Sequence, residues 1–305
     1  MSLAEPPARW QVGLVLMAGI LAISTAAIFI RLAIAAAGTG GVGFSLVLAA
    51  SRLALAGLIL LPTWRRIQFN RLDRGALRFA GMAGFFLALH FATWITSLSY
   101  TSIAASTALV TTNPVWVAIL SWLWFKEKPT AQQAVGIAIA FAGGLCIGLG
   151  DAGSADAGSN SLWGDFLALL GSVAISLYLL LGREAQRQGL SIGGYVAVAY
   201  TVAALVLLPL PPMFGAGYIG YPKEVYLYLL LMAIFPQLIG HTSFNWAVVW
   251  ISPTFVTLAI LFEPVGSSLL GSLLFGEVPP VPVLGGAAVL LAGVAIAALG
   301  ARKEC

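Results

Sequence analysis

Apolar residues run through the chain in long, nearly uninterrupted stretches, separated by short segments rich in Gly, Pro, Ser or charged residues. A helix that crosses a bilayer needs about 20 mostly apolar residues. Ten stretches of about this length are present, at residues 11–37, 42–62, 76–99, 102–125, 131–149, 163–181, 192–212, 225–249, 253–275 and 281–299. They are too long and too uniformly apolar for the strands of a transmembrane β-barrel. The pattern predicts an all-α membrane protein with ten transmembrane helices.

The composition agrees with this prediction. Of the 305 residues, 60% are hydrophobic and 9% are charged, whereas a soluble domain carries about 25% charged residues. This excludes a soluble enzyme and a nucleic-acid-binding protein. The remaining rivals to a transporter are a channel and a membrane-embedded enzyme. Because the sequence holds no HExxH motif and no metal-ligating cluster, we expect neither catalysis nor a bound cofactor or metal.

Charged residues indicate how the helices are oriented. Cytoplasmic loops attract Lys and Arg, and a cytoplasmic N-terminus places most basic residues on the inner side. They are Arg9, Arg65, Arg66, Arg71, Arg74, Arg78, Lys126, Lys128, Arg183, Arg187, Arg302 and Lys303. The outer loops would hold one basic residue, Lys223, beside several acidic ones. The sequence therefore predicts a multi-pass protein with both termini in the cytoplasm.

The second half of the chain repeats the first at a spacing of 150 residues. Residues 90–150 align with residues 240–300 without a gap, and 15 of the 61 pairs are identical. We divide the chain into a first five-helix repeat at 11–149, an external linker at 150–162 and a second repeat at 163–300. Because five is odd, the second repeat must be inverted. Inverted repeats are typical of secondary transporters, which bind substrate between the repeats near the membrane midplane, although a duplication kept only for packing is the alternative.

Several motifs resemble those of a known family. The stretch LFEPVGSSLLGSLLFGEVPP at 261–280 resembles the C-terminal signature of EamA-type transporters, which belong to the drug/metabolite transporter superfamily. Asn113-Pro114 followed by Phe125-Lys126-Glu127 resembles the same signature in the first half. One departure is Gly276, which stands where the first half has Lys126. The resemblance covers nearly the whole chain.

The resemblance implies a function. Arg31, Arg52 and Tyr178 look like the family's basic residue ending the first span, the arginine of the second span and the tyrosine of the sixth. Members export amino acids, drugs and metabolites from bacteria, and the aromatic amino-acid exporters are the nearest likeness. We therefore expect a bacterial inner-membrane exporter of small organic solutes, including aromatic amino acids, that works by alternating access. A channel-like facilitator or an exporter of drugs or other metabolites is the alternative.

Polar side chains inside the predicted spans are the first candidates for the site. Glu263 lies about halfway along the ninth span, where a carboxylate is costly unless it is paired, hydrated or protonated. It either binds a substrate ammonium, titrates as a proton-coupling group, or forms a static pair with Arg52 or Arg31. Asn113 is its counterpart in the first repeat, and its amide can bind a zwitterion or join helices. Arg52 either grips a substrate carboxylate or has a structural partner, and Arg31 either pairs or snorkels to the headgroups.

Aromatic and histidine side chains supply further candidates. Met82, Phe86, His90 and Trp94 recur every fourth residue and share one face of the third span. A second patch in the eighth span comprises His241, Asn245 and Trp246. We interpret Phe86, His90, Trp94 and the second patch as walls of the substrate cavity, against the alternative of a packing stripe.

Three more aromatic residues are assigned to the site by position. Trp116 follows Asn113-Pro114, Tyr178 lies deep in the sixth span, and Trp163 opens that span, where it can rim the mouth of the cavity or belong to an interfacial belt. Such a cavity suits flat, apolar or cationic substrates. The predicted partners are a small-molecule substrate and the bilayer, with no nucleic acid, and the protein is expected to be a monomer or weak homodimer.

Small residues predict one helix contact. Gly143, Gly144 and Gly148 of the fifth span, and Gly285, Gly286 and Gly293 of the tenth, allow helices to approach closely. The fifth and tenth spans are therefore expected to pack together or to form a dimer face.

Overall fold

The computed structural model of the chain describes residues 7–65, 74–125, 129–152, 160–250, 256 and 259–300. Within these ranges the regular structure is helical and contains no strand. Seven segments are long and apolar enough to cross a membrane, namely Trp10–Ala37, Gly41–Ile59, Arg74–Ser97, Ile103–Leu120, Ser161–Arg187, Ile192–Met213 and Lys223–Ala247. The predicted all-α membrane class is confirmed.

The other three predicted spans are described as shorter helices. Ala131–Ile147 and Val281–Ala297 are the shorter apolar helices at the fifth and tenth predicted positions. At the ninth, the helix Phe262–Phe275 is described, and most of the residues between 251 and 258 lie outside the described ranges. The count of ten transmembrane helices therefore stays a prediction. Both chain ends also lie outside the described residues, so the predicted placement of the termini is not tested.

The helix bounds follow the predicted spans closely. In the first half they are α1 Arg9–Ser24, α2 Ala26–Ala37, α3 Gly41–Ile59, α4 Leu61–Trp64, α5 Arg74–Ser97, α6 Ile103–Val110, α7 Asn113–Phe125 and α8 Ala131–Ala152. In the second half they are α9 Ser161–Arg187, α10 Ile192–Leu207, α11 Leu210–Met213, α12 Lys223–Met232, a π-helical segment Ala233–His241, α13 Thr242–Trp250, α14 Phe262–Phe275 and α15 Val281–Leu299. Described helix thus occupies both ends of the predicted linker 150–162, whose residues 153–159 are not described.

Three of the predicted spans are interrupted in their central part, in addition to the breaks near the ends of the second and seventh spans. The first is broken at Thr25, whose hydroxyl donates to the Ala22 carbonyl at 2.7 Å. The fourth is broken at Thr111 and Thr112, whose hydroxyls also donate to carbonyls of the preceding turn. Such back-bonding competes with the helical hydrogen bonds and bends helices. In the ninth, a turn at Leu261 precedes α14. The breaks bring irregular backbone to the interior of the bundle, where it is tolerated if it lines a cavity.

Helices of one half pack on helices of the other. The third predicted span, α5, packs along α9, and the eighth, α12 with the π-helical segment and α13, packs along α1 and α2. In addition α3 packs on α10, α6 on α14, and α8 on α15. If the two halves are exchanged, the contact between the third and sixth spans becomes the contact between the eighth and first spans. The other three contacts each become themselves. The halves are interleaved around one shared interior.

The predicted contact between the fifth and tenth spans is confirmed. Helices α8 and α15 approach so closely that a Cβ at Gly143 would collide with the backbone of Leu290. A Cβ at Gly286 would lie 2.8 Å from the Ile147 nitrogen and 2.9 Å from the Gly143 carbonyl oxygen. Small residues therefore set the distance between the two backbones, as is common between membrane helices.

We expect Gly286→Ala to destabilise the protein and its neighbour Gly285→Ala to leave it unchanged or slightly more stable. A methyl group at 286 meets backbone atoms that cannot rotate away, and such overpacking costs about 1–3 kcal/mol. Nothing lies within 4 Å of a Cβ at Gly285, and Ala favours helix over Gly by about 1 kcal/mol. Thermal unfolding of both variants in the same detergent checks the prediction. Equal melting temperatures would contradict it.

Candidate functional site

A cavity of about 70 Å³ lies between the two halves. Its wall combines polar and aromatic side chains with aliphatic ones. From the first half they are Ile23, His90, Trp94, Val110, Thr111 and Asn113, and from the second half Ile175, Tyr178, Leu179, His241, Phe244, Asn245, Ile260 and Glu263. Ligand sites usually measure about 300–1,000 Å³. The helices must therefore move apart before a solute as large as an amino acid can fit.

Asn113 and Glu263 meet at this cavity from positions that correspond in the two repeats. Each lies next to a helix break and is followed by proline, with Asn113 opening α7 and Glu263 in the first turn of α14. Proline is tolerated in a first turn, where its missing N–H has no intrahelical partner. The N-terminus of α14 favours the Glu263 carboxylate electrostatically. Nothing in the described part of the chain hydrogen-bonds the side chain of either residue, so both are available to a solute.

His90 forms a second polar group of the wall. Its Nδ1 lies 2.9 Å from the Gly171 carbonyl oxygen on α9, and because a carbonyl only accepts, Nδ1 carries the proton. In neutral imidazole this leaves Nε2 as an acceptor. The ring stacks on Trp94, with centroids 5.9 Å apart and planes at 10°. Glycine at 171 allows this approach, since a Cβ there would lie 3.1 Å from the Thr93 hydroxyl.

Tyr178, His241 and Asn245 complete the polar lining. The Asn245 amide donates to the Tyr178 hydroxyl at 3.2 Å, which fixes both side chains at the cavity wall. His241 ends the π-helical segment and meets the Phe91 ring edge-on, with centroids 5.5 Å apart. No group of three or more His, Cys, Asp and Glu side chains in the described ranges is arranged to hold a metal ion.

Seven of the predicted site residues thus lie together, and four lie elsewhere. Phe86 contacts Phe85 edge-on. Trp116 turns away from the cavity, donates from Nε1 to the Thr112 hydroxyl at 3.1 Å and contacts Phe141. Trp163 is 49% exposed and stacks on Phe166, and Trp246 packs on Trp250. None of the four lines the cavity in this conformation.

The two arginines within the spans have different surroundings. Arg52 is fully buried, donates from Nε to Gln237 Oε1 at 2.9 Å and lies 4.2 Å above the centroid of Phe91. It makes no ion pair with Glu263 within 4.0 Å. Arg31 donates to the Thr101 carbonyl at 2.7 Å and lies 4.0 Å from Glu277. Glu277 also accepts from the Ile103 backbone N–H at 2.8 Å, so it links Arg31 of α2 to the start of α6.

Several residues that the fold brings to the site are not among those predicted from the sequence. Val110, Thr111 and Ile175 line the cavity, and only Thr111 carried a signal, as a polar neighbour of Asn113-Pro114. Gln237, the partner of Arg52, also carried one, because it is a buried amide in an apolar stretch beside Pro236.

Comparison with known proteins identifies the family of the chain. The EamA-like transporter family matches residues 10–149 and again residues 162–299. This chain belongs to the EamA-like transporter family. The double match coincides with the two halves of the chain, so the cavity of this EamA-like transporter lies between two copies of the family's unit.

Curated relatives agree with the family but differ in what is known of them. A probable terminal-alkyne amino-acid exporter of Streptantibioticus cattleyicolor is 28% identical over 201 residues, covering 64% of this chain and 65% of its own length. The uncharacterized transporter YyaM of Bacillus subtilis is 27% identical over 252 residues, covering 80% and 81%. An uncharacterized transporter of Archaeoglobus fulgidus is 23% identical and covers 65% and 68%.

A solved structure supports the fold alone. One crystal structure superimposes with a TM-score of 0.63 and covers 96% of this chain and 98% of its own. The two sequences are 19% identical. The likeness in fold therefore extends over nearly the whole length of both chains.

Proposed function

We propose that this protein is a secondary transporter that exports small organic solutes, principally amino acids including aromatic ones, across the bacterial inner membrane by alternating access. One observation carries the proposal. Two helix breaks at corresponding positions of the repeats bring Asn113 and Glu263 to one cavity walled by both halves. Discontinuous helices that meet between inverted repeats are how many secondary transporters build their substrate sites.

The inverted arrangement of two five-helix repeats is part of this proposal. It is supported by the odd number of predicted spans in each half and by helix contacts that remain equivalent when the halves are exchanged. Alternating access is further supported by the size of the cavity, because about 70 Å³ cannot pass an amino acid without helix movement. A static channel would need a wider path.

The substrate class follows from the chemistry of the wall. Glu263 suits a substrate ammonium, Asn113 and Asn245 offer donors and acceptors, and His90 stacked on Trp94 presents a flat surface for an aromatic side chain. The name of the Streptantibioticus cattleyicolor relative, a probable amino-acid exporter, supports amino acids and the outward direction. Drugs or other metabolites are the alternative substrates.

Counterflow in liposomes tests the proposal. Vesicles containing the purified protein are preloaded with one unlabelled amino acid and diluted into the labelled form, with protein-free vesicles as the control. We expect transient accumulation of aromatic amino acids several-fold above the control. If none of the 20 amino acids shows counterflow while the protein remains folded by its thermal unfolding curve, the amino-acid assignment is wrong.

A further inference from the structure

Arg52 is buried with most of its hydrogen-bonding capacity unused. Its guanidinium is 0% exposed, and one nitrogen, Nε, donates to Gln237 Oε1. Neither Nη1 nor Nη2 has a hydrogen-bond partner among the described residues. A buried charge is costly unless it is paired and its donors are satisfied. The stacking of Arg52 on Phe91 offsets part of this cost but satisfies no donor.

The polar groups around Arg52 are also unsatisfied donors. They are Gln237 Nε2, the Tyr200 hydroxyl and the Thr242 hydroxyl, and within the described ranges none of them has a hydrogen-bond partner. The Tyr200 hydroxyl faces the Gln237 and Thr242 side chains without completing a hydrogen bond to either. We call Arg52, Tyr200, Gln237 and Thr242 the donor cluster. It offers N–H and O–H groups and one positive charge, the complement of a carboxylate, which arginine binds through two parallel hydrogen bonds.

The donor cluster lies directly behind the cavity wall. Phe91, beneath Arg52, contacts the cavity residues His90, Trp94 and His241. Tyr200 also faces Tyr178, which lines the cavity, and Thr242 follows His241 in the chain. The wall at this point is carried by the π-helical segment with Pro236 inside it. Such segments are rare and are frequently found at functional sites.

Arg52 and Glu263 carry opposite charges and are not paired with each other. Arg52 is within electrostatic reach of Glu263, yet the two side chains do not approach within 4.0 Å. A direct pair would leave no room for a solute. An α-amino acid carries an ammonium and a carboxylate on one carbon, so it offers a partner of opposite charge to each of these two side chains.

We propose that the donor cluster binds the carboxylate of the transported amino acid while Glu263 binds its ammonium. This inference rests on the proposed amino-acid transport and deepens it. The protein then distinguishes α-amino acids from amines of the same shape by the donor cluster, and Phe91 is the side chain that must shift to admit the carboxylate.

The test uses two ligands that differ only at the carboxylate. Phenylalanine and phenylalaninamide compete for counterflow of labelled phenylalanine in liposomes containing the wild type, Arg52→Lys or Tyr200→Phe. We expect both variants to lower the apparent affinity for phenylalanine at least tenfold and to change the apparent affinity for phenylalaninamide by less than twofold. Tyr195→Phe is the matched control. Tyr195 lies on the same helix as Tyr200, but its buried hydroxyl donates to the Tyr178 carbonyl and is not part of the donor cluster. This variant should preserve the wild-type ratio of the two apparent affinities.

The other outcomes are distinguishable. An equal loss of apparent affinity for both ligands would overturn the carboxylate site and indicate that Arg52 has a structural role or pairs with Glu263. Unchanged apparent affinities for both ligands would overturn the carboxylate site as well. If a variant does not transport, the shift of its melting temperature by each ligand replaces the transport measurement. If the wild type transports no amino acid, the proposed function fails first and this inference falls with it.

Discussion

Glu263→Gln is expected to reduce the apparent affinity for amino acids in counterflow by about 10- to 100-fold. A hydrogen bond to a charged group contributes about 1.5–3 kcal/mol, and each 1.4 kcal/mol is tenfold in affinity. The carboxylate lies at the cavity with no hydrogen-bond partner among the described residues. Gln keeps the shape of the side chain and removes its charge, so the loss reports the charge alone.

A matched control distinguishes the effect of a carboxylate at the cavity from the effect of a carboxylate at a helix N-terminus. Glu224 also lies in the first turn of a helix, α12, but it faces away from the cavity and is exposed. Glu224→Gln loses the same favourable interaction with a helix N-terminus, about 0.3–1 kcal/mol, and should transport as the wild type does. Equal transport by the wild type and both variants would exclude Glu263 from substrate binding.

The same variant tests proton coupling. The ionisable and charged side chains nearest Glu263 are His90, His241, Tyr178 and Arg52. If Glu263 carries the coupled proton, Glu263→Gln should still exchange substrate in counterflow but should no longer accumulate it when a pH gradient is imposed. Gradient-driven accumulation equal to that of the wild type would assign coupling elsewhere.

Sequence patterns predicted the class of fold and the central pair of residues, because both depend on local features. Uninterrupted apolar runs indicate membrane helices, and Asn113 and Glu263 stand out as polar residues followed by proline at a spacing of 150. Their meeting at one cavity required only that the repeats face each other. The partners of Arg52 depend instead on contacts across 185 residues and on a π-helical register that a period of 3.6 does not reveal.

The aromatic stripe of α5 shows the limit of pattern reasoning in detail. Met82, Phe86, His90 and Trp94 are spaced by four residues, but a helix turns by about 40° more than one full turn over that interval. The stripe therefore winds around the helix. Its last two members line the cavity, Phe86 is half-buried beside Phe85, and Met82 is 51% exposed. Spacing predicted a shared face, but the rotation of that face relative to its neighbours is set by packing.

Filling the cavity is expected to abolish transport without unfolding the protein. Val110 is buried at the cavity wall on α6, and Ile260, 150 positions later, lines it as well. The indole of Val110→Trp is much larger than the isopropyl group that it replaces, and it extends from the wall into the cavity. We therefore expect counterflow to fall to the level of protein-free vesicles. Val110→Ala enlarges the cavity and should remain active.

Val265→Trp is the control for the bulk of the indole. Val265 lies two residues after Glu263, on the opposite side of α14, and is 57% exposed, so a large apolar group there faces the bilayer. It should transport at the wild-type rate. Overpacking costs about 1–3 kcal/mol, so the melting temperature of Val110→Trp must be measured, and Val110→Phe replaces it if the protein does not fold. If the cavity-filled variant is folded and transports normally, the solute does not pass through this cavity, because the indole at position 110 would block that path.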